Sequence, residues 1–180
     1  MKPFLKNDLL IAFTGPESTG KSTISKALAA SFNAAWAPEY AREYLTGKNG
    51  KYDQSDLDVI ALHQNALIQK AARTGLAMLD TEILVLKIWS EYKYGNCSAM
   101  IQTLWEKQQI HHYFLCDIDL PWEEDPLREH PSFASRKEIL ERYHEALAQK
   151  GAAYSVLSGD LPNRISTASE ILLQQFSVIQ

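Results

Sequence analysis

Cysteine is scarce in this sequence, which has only Cys97 and Cys116 among 180 residues. Two cysteines at this separation form neither a disulfide framework nor the paired spacing of a zinc site. Secreted domains of small size commonly depend on several disulfides, whereas proteins of the reducing cytosol rarely contain them. We therefore expect a cytoplasmic protein in which both residues are thiols in or near the core.

An excess of basic residues is also missing. Lys and Arg together number 18 and Asp and Glu 22, so the net charge is −4. Proteins that bind nucleic acids usually carry a strongly basic surface. Nucleic acid is therefore not an expected partner, although this balance still allows a local basic cleft for phosphate groups.

Long apolar runs are absent as well. The run at residues 9–14 is too short and wrongly flanked for a signal peptide. No stretch approaches the roughly 18 apolar residues of a transmembrane helix, and no internal repeat is visible. We expect a single domain, residues 1–180, without a membrane partner, and the sequence does not decide between a monomer and a homo-oligomer.

The patterns that are present alternate between strand and helix. Strands are predicted at residues 8–14, 34–37, 76–80, 113–116 and 154–157. Helices are predicted at residues 21–32, 39–45, 55–73, 83–92, 98–107, 135–150 and 163–176. Ser55 or Asp56 is expected to cap the third helix, and Asn163 the last. The alternation predicts an α/β fold, with a parallel five-stranded sheet in a three-layer α/β/α sandwich.

One segment, GPESTGKS at residues 15–22, matches the phosphate-binding pattern G-x-x-x-x-G-K-[ST] between a buried strand and an amphipathic helix. Backbone N–H groups of such a loop surround a phosphate at the helix N-terminus. Lys21 would bridge the β- and γ-phosphates, and the Ser22 hydroxyl would coordinate Mg²⁺. The sequence therefore predicts a P-loop NTPase with ATP and Mg²⁺ as cofactors. The predicted ATP-binding residues are Gly15, Pro16, Glu17, Ser18, Thr19, Gly20, Lys21, Ser22 and Thr23.

A P-loop site also needs a carboxylate at the end of a neighbouring buried strand. Asp80, which ends the apolar segment LAMLD, meets this requirement. It is predicted to hold the metal through water, or alternatively to act as the base for an attacking hydroxyl. A third interpretation is that Asp80 only caps the helix that begins near Glu82.

Motifs of several P-loop classes are missing, among them the guanine-reading Asn/Thr-Lys-x-Asp and an LSGGQ-like signature. Small-molecule kinases remain, because they need only a P-loop core, an acceptor site and a lid that excludes water. Residues 119–136 are the predicted lid. Its Arg128 and Arg136 would stabilise charge on the transferred phosphoryl group, or alternatively form surface ion pairs with glutamates of the same segment.

Several segments together resemble the ribosylnicotinamide (nicotinamide riboside) kinase domain of NadR, the bacterial NAD-salvage protein. They are GPESTGKS (15–22), PEYARE (38–43), HQ (63–64), DTE (80–82), WS (89–90) and DIDLPWEEDPLREHP (117–131). They cover nearly the whole chain in the family's order. The resemblance implies an ATP- and Mg²⁺-dependent kinase that phosphorylates the 5′-hydroxyl of a small-molecule nucleoside, nicotinamide riboside. We do not extend the family's adenylylation and DNA-binding activities to this sequence, which shows neither pattern.

The same resemblance points to an acceptor site after the second strand. Glu39 is expected to accept hydrogen bonds from the ribose or to serve as the base, or alternatively only to interact with the dipole of the following helix. Tyr40 lies beside it, and Arg42 would orient the acceptor or the γ-phosphate. Trp122, which is followed by three acids, would offer a cationic pyridinium a π face and negative charge, or alternatively would only hold the lid in place by packing. Glu82 is a further expected substrate contact, although the family pattern has DTD where this sequence has DTE. The predicted catalytic residues are thus Lys21, Asp80, Glu39, Arg128 and Arg136.

Two other functions stay open from the sequence alone. One is a kinase for a nucleoside unrelated to pyridines, and the other is a regulatory P-loop ATPase or ATP-binding module that signals through its lid. Away from these motifs, the sequence predicts that Trp36, Trp89 and Trp105 belong to the core. It also predicts that Gly159 and Asp160, in the SGDLPNR turn, lie near the nucleotide base.

Overall fold

A parallel sheet of five strands forms the centre of the molecule in the computed structural model, which describes residues 9–176. The strands are β1 Leu10–Thr14, β2 Ala35–Ala37, β3 Ala77–Asp80, β4 His112–Cys116 and β5 Tyr154–Leu157. They lie in the order β2-β3-β1-β4-β5, and every neighbouring pair is parallel. The predicted α/β class is confirmed. Asp8, which the apolar pattern included in the first strand, lies outside the described residues.

Helices cover both faces of this sheet. They are α1 Lys21–Ser31, α2 Tyr40–Gly47, α3 Gln54–Ala71, α4 Ile83–Tyr94, α5 Ala99–Lys107, α6 Phe133–Lys150 and α7 Leu161–Phe176. Successive side chains of a strand point to opposite faces. Ile11 and Phe13 accordingly pack with α1 and α7, whereas Ala12 packs in the cluster formed with α3, α4, α5 and α6. The predicted three-layer arrangement follows from this alternation.

The capping residues of two helices differ from the prediction. Asp53, and not Ser55 or Asp56, caps α3: its carboxylate accepts the Ser55 N–H at 2.8 Å, while Asp56 accepts the Asp53 N–H at 2.9 Å. In α7 the Asp160 carboxylate accepts the N–H of Asn163 at 2.9 Å, so the helix begins two residues before the predicted start. In both cases a preceding Asp offers its carboxylate to the first helical N–H groups, as N-cap residues do.

The tryptophans predicted to lie in the core divide into three environments. Trp105 is 5% exposed and belongs to the core, as predicted. Trp36 is 36% exposed, so its prediction is wrong. It lies on the edge strand β2, where its indole N–H donates to Ser25 Oγ at 3.1 Å and Lys26 covers its ring. Trp89 is half-buried and faces a cavity.

The carboxyl ends of the parallel strands bring four loops to one edge of the sheet. These loops are the phosphate-binding segment after β1, the turn at Glu39 after β2, the turn at Asp80 after β3 and the predicted lid after β4. Ligands of open α/β sheets bind at this edge. Among the helices within residues 9–176, none is both long and apolar enough to cross a membrane.

Candidate active site

The phosphate-binding loop connects β1 to α1 through two glycines with positive φ. Gly15 has φ +125°, and a Cβ there would lie 2.7 Å from the Cys116 carbonyl oxygen. Gly20, at φ +79°, precedes α1, whose N-terminus receives no side-chain cap from the described chain. Lys21 Nζ donates to the carbonyls of Gly15 at 2.9 Å and Pro16 at 2.6 Å. The loop therefore presents backbone N–H groups and one ammonium group to an anion.

A cavity of about 280 Å³ lies above this loop. All of residues 15–23, predicted to bind ATP, line it. Glu39 and Arg42 line it from the β2 side, and Arg128 lines it from the lid. The structure thus brings these two arginines, Glu39 and the P-loop together around a single space.

Asp80 and Ser22 form the part of the site suited to a metal ion. Asp80 is 3% exposed, and its Oδ1 has no hydrogen-bond partner within residues 9–176. Burial raises its pKa, and a hydrogen bond from Ser22 together with the charge of Lys21 counters part of that increase. An unpartnered buried carboxylate oxygen beside a hydroxyl fits Mg²⁺, which takes oxygen ligands from one or two protein groups and from substrate phosphates. Consistently, the described residues contain no cluster of three or more His, Cys, Asp or Glu that could bind a metal alone.

Glu39 lies at the N-cap position of α2 and faces the cavity without capping that helix. It is partly open to the cavity and enclosed by protein elsewhere. Burial raises its pKa, the charge of Lys21 lowers it, and the charge of Asp80 raises it further. The net increase makes Glu39 a stronger proton acceptor than an exposed glutamate, as a general base requires.

Arg42 lines the cavity and also contacts the lid, and its role in orienting the acceptor or the γ-phosphate stays a prediction. Its Nη1 donates to Asp125 Oδ2 of the lid at 2.8 Å. Because its side chain is half exposed, this ion pair contributes little to folding stability. The ion pair does connect the part of the cavity wall that contains Glu39 and Arg42 to the lid.

The wall opposite the P-loop is apolar and aromatic. Its aromatic members are Trp89 and Tyr92 of α4 and Tyr143 of α6. This wall was not predicted from the sequence. The available signal was the spacing of Val85, Ile88, Trp89 and Tyr92, which is equally typical of a helix face packed in a core.

The predicted lid is docked on the P-loop. The Glu17 carboxylate accepts the backbone N–H groups of Glu129 and His130, both at 3.0 Å. Ser18 Oγ accepts the Glu123 N–H at 2.9 Å and a hydrogen bond from Arg128 at 3.3 Å. The Arg128 guanidinium also lies 3.9 Å from the Glu123 carboxylate. Arg128 therefore faces the cavity and also contacts a lid glutamate, and its catalytic role stays a prediction.

Arg136 lies on the first turn of α6, outside the residues that line the cavity. It is 5% exposed, and its Nε and Nη1 have no hydrogen-bond partner in the described part of the chain. The predicted surface ion pair is therefore wrong for this residue. A buried guanidinium with unused donors is suited to an anion, so the catalytic role predicted for Arg136 stays a prediction.

Trp122 and Tyr40 do not lie in the cavity wall formed by the described residues. The guanidinium groups of Arg128 and Arg136 lie over the Trp122 ring, at 5.8 Å and 5.6 Å from its centre. The Tyr40 ring stacks on His63, with centroids 4.6 Å apart. Arginines therefore occupy the π surface of Trp122 that the sequence analysis assigned to a pyridinium.

The substrate contact predicted for Glu82 is wrong. Glu82 is fully buried and caps α4, accepting hydrogen bonds from Leu84 N at 2.6 Å, Thr14 Oγ1 at 2.9 Å and Gln108 Nε2 at 2.8 Å. Thr81, between Asp80 and Glu82, has φ +81°. The Asp80 side chain lies beside Ser22, whereas the Glu82 side chain bonds Thr14 and Gln108. The longer side chain in DTE thus reaches into the core and not into the cavity.

Arg164 was missed by the sequence analysis. It is fully buried and donates to the carbonyls of Thr19 at 3.1 Å, Asp117 at 3.2 Å and Gly159 at 2.8 Å, and it also pairs with Asp119. It therefore joins the P-loop, the end of β4 and the turn before α7. The turn residues Gly159 and Asp160 do not line the cavity, whereas the following Leu161 does.

Comparisons with known proteins agree with this geometry. A family model described as AAA domain matches residues 10–164. The trifunctional NAD biosynthesis/regulator protein NadR of Salmonella typhimurium is 28% identical over 179 aligned residues, which cover 96% of this chain and 43% of that protein. This chain therefore spans less than half of that relative's length.

Solved structures show the same fold. The crystal structure of NadR protein in complex with NR aligns with a TM-score of 0.78 at 20% identity, over 97% of this chain and 52% of that one. Thymidylate kinase from Ehrlichia chaffeensis aligns with a TM-score of 0.69 at 15% identity, over 91% and 98%. The likeness to NadR agrees with the resemblance seen in the sequence motifs.

Proposed function

We propose that this chain, which belongs to the AAA domain family, is a kinase that transfers the γ-phosphoryl group of ATP to a hydroxyl of a nucleoside-sized acceptor. One observation carries the proposal. A single cavity of about 280 Å³ joins a complete P-loop, through Glu39, to an aromatic wall on α4 and α6, and the lid covers the P-loop side. A protein that only bound or hydrolysed ATP would not need the aromatic wall.

In this proposal the P-loop N–H groups and Lys21 hold the β- and γ-phosphates. Ser22 and Asp80 would hold Mg²⁺, which, when bound, neutralises the charge of the phosphates. Lys21 and the lid residue Arg128 would stabilise charge that develops on the transferred group. The docked lid reduces the access of water, so that the acceptor hydroxyl and not water receives the phosphoryl group.

Glu39 is the proposed base. It lies in the cavity wall between the P-loop and the aromatic residues, and its raised pKa favours uptake of the acceptor's proton. We assign Asp80 to the metal because its neighbour is Ser22 of the P-loop. The two carboxylates then have separate roles.

Nicotinamide riboside is the proposed acceptor. Support comes from the likeness to NadR, a trifunctional NAD biosynthesis/regulator protein whose crystal structure has been solved in complex with NR. A flat aromatic cation would also find a π face in Trp89. Because two arginines lie over the Trp122 ring, which does not line the cavity, we move the predicted platform for the base from Trp122 to Trp89 of α4.

A coupled ADP-release assay with a panel of nucleosides tests this function. Purified protein is supplied with MgATP and, in turn, nicotinamide riboside, a purine nucleoside, thymidine or no acceptor. We expect stimulation by nicotinamide riboside, and its loss in Lys21→Ala. Stimulation by another nucleoside would move the proposal to that acceptor. If the protein binds ATP but no nucleoside of the panel stimulates ADP release, the result would instead favour the regulatory ATP-binding module.

A further inference from the structure

The hydroxyl of Tyr52 is the centre of a cluster that contains Tyr52, Trp89, Lys93 and Glu129, hereafter the Tyr52 cluster. It accepts the indole N–H of Trp89 at 2.8 Å and a hydrogen bond from Lys93 Nζ at 2.6 Å. It donates to Glu129 Oε2 at 2.7 Å. A phenolic oxygen has one proton and two lone pairs, so all its hydrogen-bonding positions are used.

Charge and packing reinforce these hydrogen bonds. Lys93 Nζ lies 2.7 Å from Glu129 Oε1 and 4.0 Å from the centre of the Tyr52 ring. The rings of Tyr52 and Trp89 meet edge to face, with centroids 5.1 Å apart. Burial and the Glu129 carboxylate raise the pKa of Tyr52, which keeps its proton. Burial alone would raise the pKa of Glu129, but Lys93 and Tyr52 hold it below its usual range, so the pair is formed at neutral pH.

The cluster connects the lid, docked on the P-loop, to the aromatic wall of the cavity. At one end, the Glu129 backbone N–H donates to Glu17 Oε2 of the P-loop at 3.0 Å. At the other end, the Trp89 ring lines the aromatic wall of the cavity. Tyr52, in the turn between α2 and α3, is the link between them.

We infer that Tyr52 and Glu129 are positioning residues that set acceptor affinity, because they hold the Trp89 ring in place only while the lid is docked on the P-loop. The inference rests on the proposed function. The Trp89 indole N–H has one partner among the described residues, and that partner is bonded to the lid. Release of Glu129 removes an acceptor from Tyr52 and an ion pair from Lys93. Undocking of the lid therefore loosens the wall that would contact the acceptor.

Tyr52→Phe tests the inference with the least change in shape. It removes the hydroxyl and leaves the ring that packs on Trp89. We expect the KM for the acceptor to rise about three- to tenfold, which corresponds to the loss of a net hydrogen bond. The dissociation constant of a non-hydrolysable ATP analogue should stay within about twofold of wild type. Tyr154→Phe is the matched control, since Tyr154 bonds His144 at 3.2 Å and does not line the cavity.

Glu129→Ala and Glu129→Gln extend the test to the lid. Glu129→Ala should raise the acceptor KM as Tyr52→Phe does, and the double variant Tyr52→Phe/Glu129→Ala should show less than the product of the two effects. Glu129→Gln keeps an acceptor for the Tyr52 hydroxyl and should lie nearer to wild type. If Tyr52→Phe fails to fold, the two Glu129 variants decide the question.

Calorimetric binding of the acceptor, measured without ATP turnover, separates this inference from the proposed function. Wild type that binds none of the nucleosides refutes the proposed function, and the inference falls with it. If wild type binds one of the nucleosides and the variants have the same acceptor affinity and KM as wild type, the inference is wrong while the proposed function stands. A fall in kcat with an unchanged acceptor KM also overturns it, because general structural damage would give that result.

Discussion

At the scale of single residues, the most informative atom is Oδ1 of Asp80, which is buried and lacks a hydrogen-bond partner among the described residues. Such an atom is costly to bury unless a ligand satisfies it. A metal ion held with Ser22 would remove this cost when ATP binds. The same oxygen would be a poor helix cap, and Glu82, not Asp80, caps α4.

Asp80→Asn should therefore lower kcat by about 10²- to 10³-fold, because the amide keeps the shape of the side chain but loses the negative charge that holds Mg²⁺. The measurement is steady-state ADP release over a range of Mg²⁺ concentrations. Asp53→Asn is the control, since asparagine caps a helix about as well as aspartate. Equal rates in wild type and Asp80→Asn would exclude a role for this carboxylate in holding the metal.

The pH dependence of the rate should report on Glu39. Burial and the charge of Asp80 raise its pKa, although Lys21 opposes them. A base works in its ionised form, so kcat/KM should rise with pH through a pKa above that of an ordinary glutamate and then level off. In Glu39→Gln the rate should be low, and this limb should be absent. The control is Glu170→Gln, an exposed change on α7, which should keep the wild-type pH profile. If Glu39→Gln keeps the rise of kcat/KM with pH, the titrating group is not Glu39.

At the scale of elements, the P-loop depends on backbone conformations that only glycine adopts at low cost. Gly15→Ala would place a Cβ 2.7 Å from the Cys116 carbonyl oxygen at φ +125°. Gly95, at the end of α4, also has positive φ, but a Cβ there would meet open space. Gly95→Ala should lower the free energy of unfolding by about 1 kcal/mol through backbone strain alone.

Gly15→Ala should cost about 1–3 kcal/mol more than Gly95→Ala, because a backbone atom cannot move aside as a side chain can. Urea denaturation of both variants measures the difference. The affinity for an ATP analogue should fall in Gly15→Ala only. Equal stabilities of the two variants would show that β4 shifts to make room and that the contact with Cys116 is not restrictive.

The elements themselves could be predicted because each one repeats a local pattern. Buried strands read as apolar runs and helices as apolar residues at spacings of three and four, and the eight residues of the P-loop motif connect a strand to a helix and line the cavity. Side-chain destinations could not be predicted in the same way. The positions of the Glu82 and Trp122 side chains are determined by contacts with residues elsewhere in the sequence. Thr14 and Gln108 bond Glu82, and Arg136 lies over the Trp122 ring.

At the scale of the whole molecule, both apolar clusters share one sheet, and buried polar groups connect the loops above it. Arg164 joins the P-loop to the end of β4 and to the turn before α7. Glu17 joins the P-loop to the lid. Neither layer of helices has a core of its own without the sheet. The single domain predicted from the sequence should therefore unfold as one unit.

Unfolding in urea should show one transition with the same midpoint by far-UV circular dichroism and by tryptophan fluorescence. The fluorescence probes are well distributed, since Trp36 lies on the edge strand, Trp105 in the core and Trp122 in the lid.

A non-hydrolysable ATP analogue with Mg²⁺ at about 100 times its dissociation constant should raise the free energy of unfolding by about 2.7 kcal/mol, because only the folded chain binds it. Lys21→Ala should abolish this increase while keeping the coincidence of the two probes. A fluorescence change in Trp122 that precedes the loss of helix signal, tested by comparing wild type with Trp122→Phe, would instead make the lid a separate unit that opens before the sheet unfolds.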